Sequence, residues 1–286
     1  MHKTAAVVIL YNPEINVFDK IKSYINQVDK LYVIDNSEKV NSYIIQKIKL
    51  LKNVEYSCNN SNIGIAAALN VGARRAIDEG FKYLLTMDQD SQASEGMVVK
   101  QLELMKSSSE IGIVAAEPFN PEYPEYMKKT YTKEVMYTIT SGNLLNLSAY
   151  SIAGGFWEEL FIDHVDHEFC LRLKKFGFKI YKTNEVVVYH KIGNAIKKSF
   201  IGFNFYSLNH PPVRLYYRTR NRFYIDSIYK NIFPDYVKED RKHMIREFIE
   251  ILLSEKDLIN KIKMSFKGYK HFKKHVLGKY IDASEK

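Results

Sequence analysis

Through its first 120 residues the chain alternates short apolar runs with stretches of helical period. AAVVILY (5–11), LYVIDN (31–36), NVEYSC (53–58), YLLTMD (83–88) and IGIVAAE (111–117) read as buried strands. Between them SYIIQKIKLL has helical spacing, as does IGIAAALNVGARRAIDEG (63–80), which has Asn62 as a candidate cap and Gly80 as a stop. A further helix is expected between the fourth and fifth strands. This alternation predicts an α/β fold, a parallel sheet covered by helices. Ligands bind such sheets beyond the carboxyl ends of their strands. Tyr11, Asp35 and the pair Asp88 and Asp90 stand at those ends, so they are expected to line one crevice.

The pattern changes after residue 117. Pro118 to about Lys133 is rich in Pro, Tyr and charge, which predicts a surface excursion. VMYTITSGNLLNL reads as mixed strands around Ser141 and Gly142. GGFWEELFIDHVDHEFCLRLKKFG (154–177) reads as a glycine-led turn, an acidic loop and a helix ending at Gly177. FKIYK and EVVVYH read as two short strands, and beyond His190 the pattern is helical and aromatic-rich. The expected division is a catalytic domain over 1–213, with halves of about 1–117 and 118–213, followed by a helical basic region over 214–286.

Composition adds three constraints. At 286 residues and 46% hydrophobic content the chain can bury a large core. No apolar run approaches the roughly 18 residues of a membrane span, and the opening run is too short for a signal core, so a soluble cytoplasmic protein is expected. Cys58 and Cys170 fit no metal-binding spacing and are expected to be reduced thiols. The charge is uneven: residues 186–286 carry 21 Lys and Arg against 10 Asp and Glu, while the rest carries 21 against 23. A basic, aromatic-rich tail on a near-neutral body points to an anionic partner or to a solvated face.

The acidic positions carry the candidate chemistry. In an extended segment Asp88 and Asp90 would project to the same side. Two adjacent carboxylates with no Lys or Arg between them suit Mg²⁺ or Mn²⁺, which such sites bind together with substrate phosphates. The other reading makes Asp88 a strand-end cap and Asp90 a helix start. FIDHVDHEFCLR places Asp163, Asp166 and Glu168 close together. A helix beginning near Asp166 would set its carboxylate at a positive helix end, where it could serve as a general base or simply complement the dipole. His190 ends a strand, as either a third metal ligand or a structural histidine.

Taken together, VVILYNP (7–13), VIDNS (33–37), NIGIAAALNVGARRA (62–76), MDQDS (87–91), TSGNLL (140–145), GGFWEELFIDHVDHEFCLR (154–172), YHKIG (189–193) and RLYYRTRN (214–221) resemble the family 2 glycosyltransferases, and among them the bacterial rhamnosyltransferase-like group. The resemblance covers roughly residues 4–225. It implies the GT-A fold, with a mostly parallel central sheet flanked by helices and, here, a helical basic C-terminal extension. It also implies metal-dependent inverting transfer from a nucleotide sugar. By that resemblance Asp166 is the base, although the family's Glu-Asp pair is broken by Val165, which leaves Asp163 as a second candidate. Asp88, Asp90 and His190 are the implied metal ligands. Tyr11, Asn12, Asp35, Asn62, Gly64, Asn70 and Asp88 are the implied donor contacts, and Trp157 and Glu158 the acceptor contacts.

The same resemblance suggests dTDP-β-L-rhamnose as donor, with a UDP-hexose as the alternative, and a lipid-linked saccharide acceptor in cell-surface polysaccharide synthesis. An acceptor of that kind fits the stretch 265–281, where Lys267, Lys270, Lys273, Lys274 and Lys279 interleave with aromatic residues and could meet the inner face of a membrane. The opposing reading is a packing helix. A D-x-D phosphohydrolase is disfavoured because its motif follows the first strand of the domain, not the fourth. A nucleic-acid-binding protein would leave the acidic crevice unexplained.

Overall fold

The computed structural model describes residues 3–120, 129–190, 196–200, 203–207 and 209–282, with the side chains of 190–207 outside the description. Its contacts divide the chain into two compact units, Met1–Glu158 with Val165–His190, and Glu159–His164 with Lys191–Lys286. The division thus falls at His190, ahead of the expected boundary at residue 213.

In the first unit, β1 (Thr4–Leu10) is buried at every position. Its parallel neighbours β2 (Lys30–Asp35) and β4 (Tyr83–Asp88) flank it, and β3 (Val54–Cys58) extends the sheet beyond β2. Ala6, Val8 and Leu10 pack with α1 (Val17–Ile25), α2 (Ser42–Lys49) and α4 (Met97–Met105). Val7 faces α3 (Ile65–Asp78), where a Cβ on Gly72 would lie 2.3 Å from a Val7 methyl. With both faces covered, β1 is a continuous apolar run rather than an alternating one.

The register aligns Leu10 with Asp35, Asp35 with Cys58, and Ile9 with Asp88, so the carboxyl ends expected to converge share one edge. Beyond β4 the directions mix. The nine-stranded sheet runs β3-β2-β1-β4-β8-β6-β9-β5, with β5 (Ser91–Ala93), β6 (Ile111–Phe119), β8 (Asn143–Asn146) and β9 (Lys179–His190), while β7 (Thr132–Glu134) pairs with β9. Strand β8 is antiparallel to both β4 and β6.

Three expectations are corrected. FKIYK and EVVVYH form one strand, β9, because a register shift against β6 absorbs the polar residues between them. VMYTITSG is not strand-paired as a whole; only Asn143–Asn146 joins the sheet. Asn62 does not cap α3 directly: Gly64 is the cap residue at φ 90°, and Asn62 accepts from the Gly64 N–H. A shorter helix, α5 (Leu147–Ala153), and α6 (Val165–Lys175) complete the unit.

The second unit holds a hairpin of β10 (Ile196–Phe200) and β11 (Phe203–Ser207), which the sequence reading did not anticipate. Helices α7 (Pro212–Tyr229), α8 (Pro234–Ser254) and α9 (Leu258–Lys273) follow. α7 and α9 approach closely at Gly268, where a Cβ would lie 2.4 Å from the Tyr216 carbonyl oxygen. Phe223 and Tyr224 meet Phe272 at ring-centroid distances of 5.5 and 5.1 Å. Part of the basic tail is therefore a packing helix. The expected membrane stretch 265–281 turns Phe272 against α7 and leaves Phe266 57% exposed.

Candidate active site

The D-x-D segment is held by its neighbours on the sheet edge. Strand β4 stops at Asp88, and Gln89 and Asp90 form a turn before β5. The extended alternation expected of Asp88 and Asp90 is thus interrupted, because β5 must leave β4 to pair with β9. The Asp88 N–H donates to Ser141 Oγ at 3.1 Å. Gln89 closes a reciprocal pair with Tyr11: its Oε1 accepts from Tyr11 N–H at 2.9 Å, and its amide donates to the Tyr11 carbonyl at 3.1 Å. The antiparallel register of β5 and β9 sets His190 opposite Ser91, the residue after Asp90. The His190 side chain, assigned to the metal, lies outside the described residues.

The β1 and β2 ends are tied together as well. Asn12, at φ 45°, donates its N–H to Ser37 Oγ at 2.8 Å. Asp35 is 1% exposed; its Oδ1 accepts from Ser37 N–H and its Oδ2 from the Tyr56 hydroxyl at 2.8 Å. Burial, then the hydrogen bond to this carboxylate, pushes the Tyr56 phenol well above its ordinary value. A ligand reaching Asp35 therefore competes with Tyr56. Asn36 organises the next loop: its amide donates to Asn62 Oδ1 and the Gly64 carbonyl, and its Oδ1 accepts from Asn59 and from Ile63 N–H.

Asn70 departs from the expected donor role. Its amide donates to the Phe156 carbonyl and to Glu158, each at 2.8 Å, and its Oδ1 accepts from the Tyr150 hydroxyl and Phe156 N–H. Those are the four hydrogen bonds an asparagine amide can make, so Asn70 is structural, pinning the 154–158 segment to α3. Glu158 Oε1 also accepts from Arg74 at 3.2 Å, and Trp157 beside it is half-buried.

Asp166 sits in the first turn of α6, with its Oδ1 accepting from His167 N–H at 2.9 Å. It borders a small cavity shared with Thr86, Thr138, Thr140 and Cys170. Thr86 lies two residues before Asp88, and Thr140 precedes the Ser141 that holds the Asp88 backbone. Burial pushes the Cys170 thiol up to about 12, which leaves it an inert wall. Glu168 is the third acid of the cluster with Asp163 and Asp166. It is a bidentate partner of Arg172, which also donates to the Ala153 carbonyl.

Asp163 belongs to the second unit. Both its oxygens are taken by Arg214, at 2.7 Å each. The segment around it has three left-handed residues, Phe161, Asp163 and His164, at φ 68°, 64° and 61°. Asn221 satisfies this backbone by donating to the carbonyls of Leu160, Ile162 and Asp163, while Arg220 donates to those of Glu159 and Leu160. Arg214, Arg220 and Asn221 are three of the polar positions of RLYYRTRN, a motif legible in the sequence without its partners.

Among the described residues no group of three or more His, Cys, Asp and Glu is assembled as a metal cage. Asp88 and Asp90 supply oxygen ligands of the kind that hard divalent cations take in ones and twos, with substrate phosphate completing the shell. The donor set therefore fits Mn²⁺ or Mg²⁺ bound with a diphosphate.

Residues 5–158 match the family described as Glycosyl transferase family 2. The chain belongs to that family. Over 235 residues it is 28% identical to the dTDP-rhamnosyl transferase RfbF of Shigella flexneri, covering 76% of this chain and 78% of that protein. As a family 2 glycosyltransferase it shares the GT-A fold with solved relatives. GalNAc-T7 with UDP, GalNAc and Mn²⁺ superposes at a TM-score of 0.61 and 13% identity over 96% of this chain. The chain spans 56% of that protein's structure. TarS 1–349 of S. aureus in complex with UDP-GlcNAc superposes at 0.57 and 16% identity, over 80% of this chain and 67% of that one.

Proposed function

We propose that this family 2 glycosyltransferase is a divalent-metal-dependent inverting enzyme. Its donor is dTDP-β-L-rhamnose, and its acceptor is a saccharide, lipid-linked, in bacterial cell-surface polysaccharide synthesis. The observation that carries the reading is the match of residues 5–158 to Glycosyl transferase family 2, with Asp35 and Asp88 at the carboxyl ends of the two strands that flank β1 on one sheet edge. Similarity to RfbF over most of both chains supports the donor.

In this reading Tyr11, Asn12 and the Asp35–Tyr56 pair form the nucleoside end of the site. Asp88 and Asp90 would hold the metal, with His190 as the further ligand, and the bound ion would neutralise charge on the departing diphosphate. Asp166 Oδ2 takes the proton from the acceptor hydroxyl while Oδ1 stays anchored to His167 N–H. The acceptor oxygen then bonds to the anomeric carbon as the bond to dTDP breaks on the opposite face, and the product is an α-L-rhamnoside. Trp157 and Glu158 receive the acceptor.

The test is a screen of nucleotide sugars for Mn²⁺- or Mg²⁺-dependent stabilisation and slow hydrolysis. Preference for dTDP-rhamnose supports the assignment. Preference for a UDP-hexose would replace the donor and keep the enzyme class. Response to no nucleotide sugar, with either ion, would overturn both.

A further inference from the structure

Helices α8 and α9 border a groove of about 540 Å³ within the second unit, which no step of the proposed transfer uses. Ile245, Phe248 and Ile249 line it from α8, and Ile262, Phe266 and Tyr269 from α9. All six are exposed large apolar side chains, and Leu252 and Leu253 carry the exposed character to the end of α8. An apolar surface of this extent on a protein with an ample core marks an interaction face.

Charge narrows the partner. α9 carries no Asp or Glu; Lys261 is buried against Glu255 and Lys267 donates to the Tyr280 hydroxyl, which leaves Lys263, Lys270 and Lys273 as its exposed lysines. On α8, by contrast, Arg241, Lys242 and Arg246 are each paired with an acidic side chain. The excess positive charge therefore lies on the α9 side of the groove. Lys270 Nζ stands 4.6 Å from the ring centroid of the exposed Phe266, so cation and apolar ring are presented together. A second copy of this chain meeting the same face would bring one net-positive surface against an identical one, because a two-fold interface uses the same patch on both copies. A surface that is apolar inside and anionic at its boundary matches both features.

We propose that the α8–α9 face docks on the surface of an anionic phospholipid bilayer. Phe266 and Ile249 enter the boundary between headgroups and acyl chains, and the α9 lysines meet lipid phosphates. The contact is peripheral: no helix among the described residues is long and apolar enough to cross a membrane. It does not depend on the donor or acceptor assigned above.

The test is co-flotation of the full chain, without donor, with vesicles of phosphatidylcholine alone or mixed with phosphatidylglycerol. Salt-sensitive binding to the mixed vesicles only is expected. Ile249→Ser/Phe266→Ser and, separately, Lys263→Glu/Lys270→Glu should each lower the bound fraction about tenfold. The lysine pair lies at exposed positions and carries the test if the apolar pair fails to fold, as judged by its unfolding midpoint. Absence of binding to anionic vesicles at low salt would overturn the proposal, as would equal binding to neutral ones. Self-association that Ile249→Ser/Phe266→Ser disperses, with no vesicle binding, would assign the face to a second copy.

Discussion

Gln89, the middle residue of the D-x-D segment, exchanges two hydrogen bonds with the backbone of Tyr11, at 2.9 and 3.1 Å. The variable position of the motif thus fastens the end of β4 to the end of β1, the two strand ends that bear Asp88 and the Tyr11–Asn12 pair. Gln89→Ala removes both bonds. Each is worth roughly 0.5–1.5 kcal/mol, and the surface setting places the loss at the lower end. The expected outcome is a small fall in stability by denaturant titration and a larger fall in dTDP affinity by calorimetry. Unchanged affinity would deny the clamp a role in the site.

Asp163 and Asp166 should separate cleanly. Asp166→Asn is expected to fold, bind dTDP with Mn²⁺ normally and lose roughly 10²- to 10⁴-fold in turnover. Asp163→Asn instead breaks the bidentate pair with Arg214, and its first effect is a lower unfolding midpoint. Near-normal transfer by Asp166→Asn would move the base elsewhere.

Chelation should abolish transfer, and added Mn²⁺ or Mg²⁺ should restore it. Asp88→Ala and Asp90→Ala are each expected to lose the metal-dependent part of nucleoside diphosphate binding, read by calorimetry with and without Mn²⁺. Full retention in both would remove the metal role from these carboxylates.

Gly268→Ala places a methyl group 2.4 Å from the Tyr216 carbonyl, which cannot move without bending α7. Overpacking of this kind costs roughly 1–3 kcal/mol. A lower midpoint in chemical denaturation is expected. Truncation after about residue 264 would remove the same α7–α9 contact, so point substitutions are the cleaner probe of the tail.

Acid should weaken the second unit. Burial is the main cause that lowers the His210 pKa, followed by Arg218 and Arg214, against the opposing pull of Asp163 and Glu255. Burial likewise lowers His271, followed by Lys267, Arg220 and Lys274. Both histidines thus bind fewer protons folded than unfolded, so stability falls as pH drops through and below the ordinary histidine value of about 6.5. Thermal unfolding between pH 8 and about 5.5 should show this slope, and His210→Gln/His271→Gln should flatten it.

The sequence by itself determined the α/β alternation, the convergence of Tyr11, Asp35 and Asp88 at one sheet edge, and the family. Strand termini in a parallel sheet share an edge once both faces of each strand must be buried, and that demand is written in the apolar runs. Only the tertiary structure decided which polar residues remain for a ligand. Asn70 is an expected donor contact, yet its amide is spent on Tyr150, Phe156 and Glu158, while Glu168 of the acidic cluster is held bidentately by Arg172. Gln89, Ser141 and Asn36 lie inside the quoted motifs, but their roles were not legible there, because each bonds a backbone group 27 to 78 positions away. Asp163 and Asp166 are three residues apart and chemically identical in the sequence. A guanidinium 51 positions downstream occupies one of them, because a left-handed turn carries Asp163 to α7 before α6 begins.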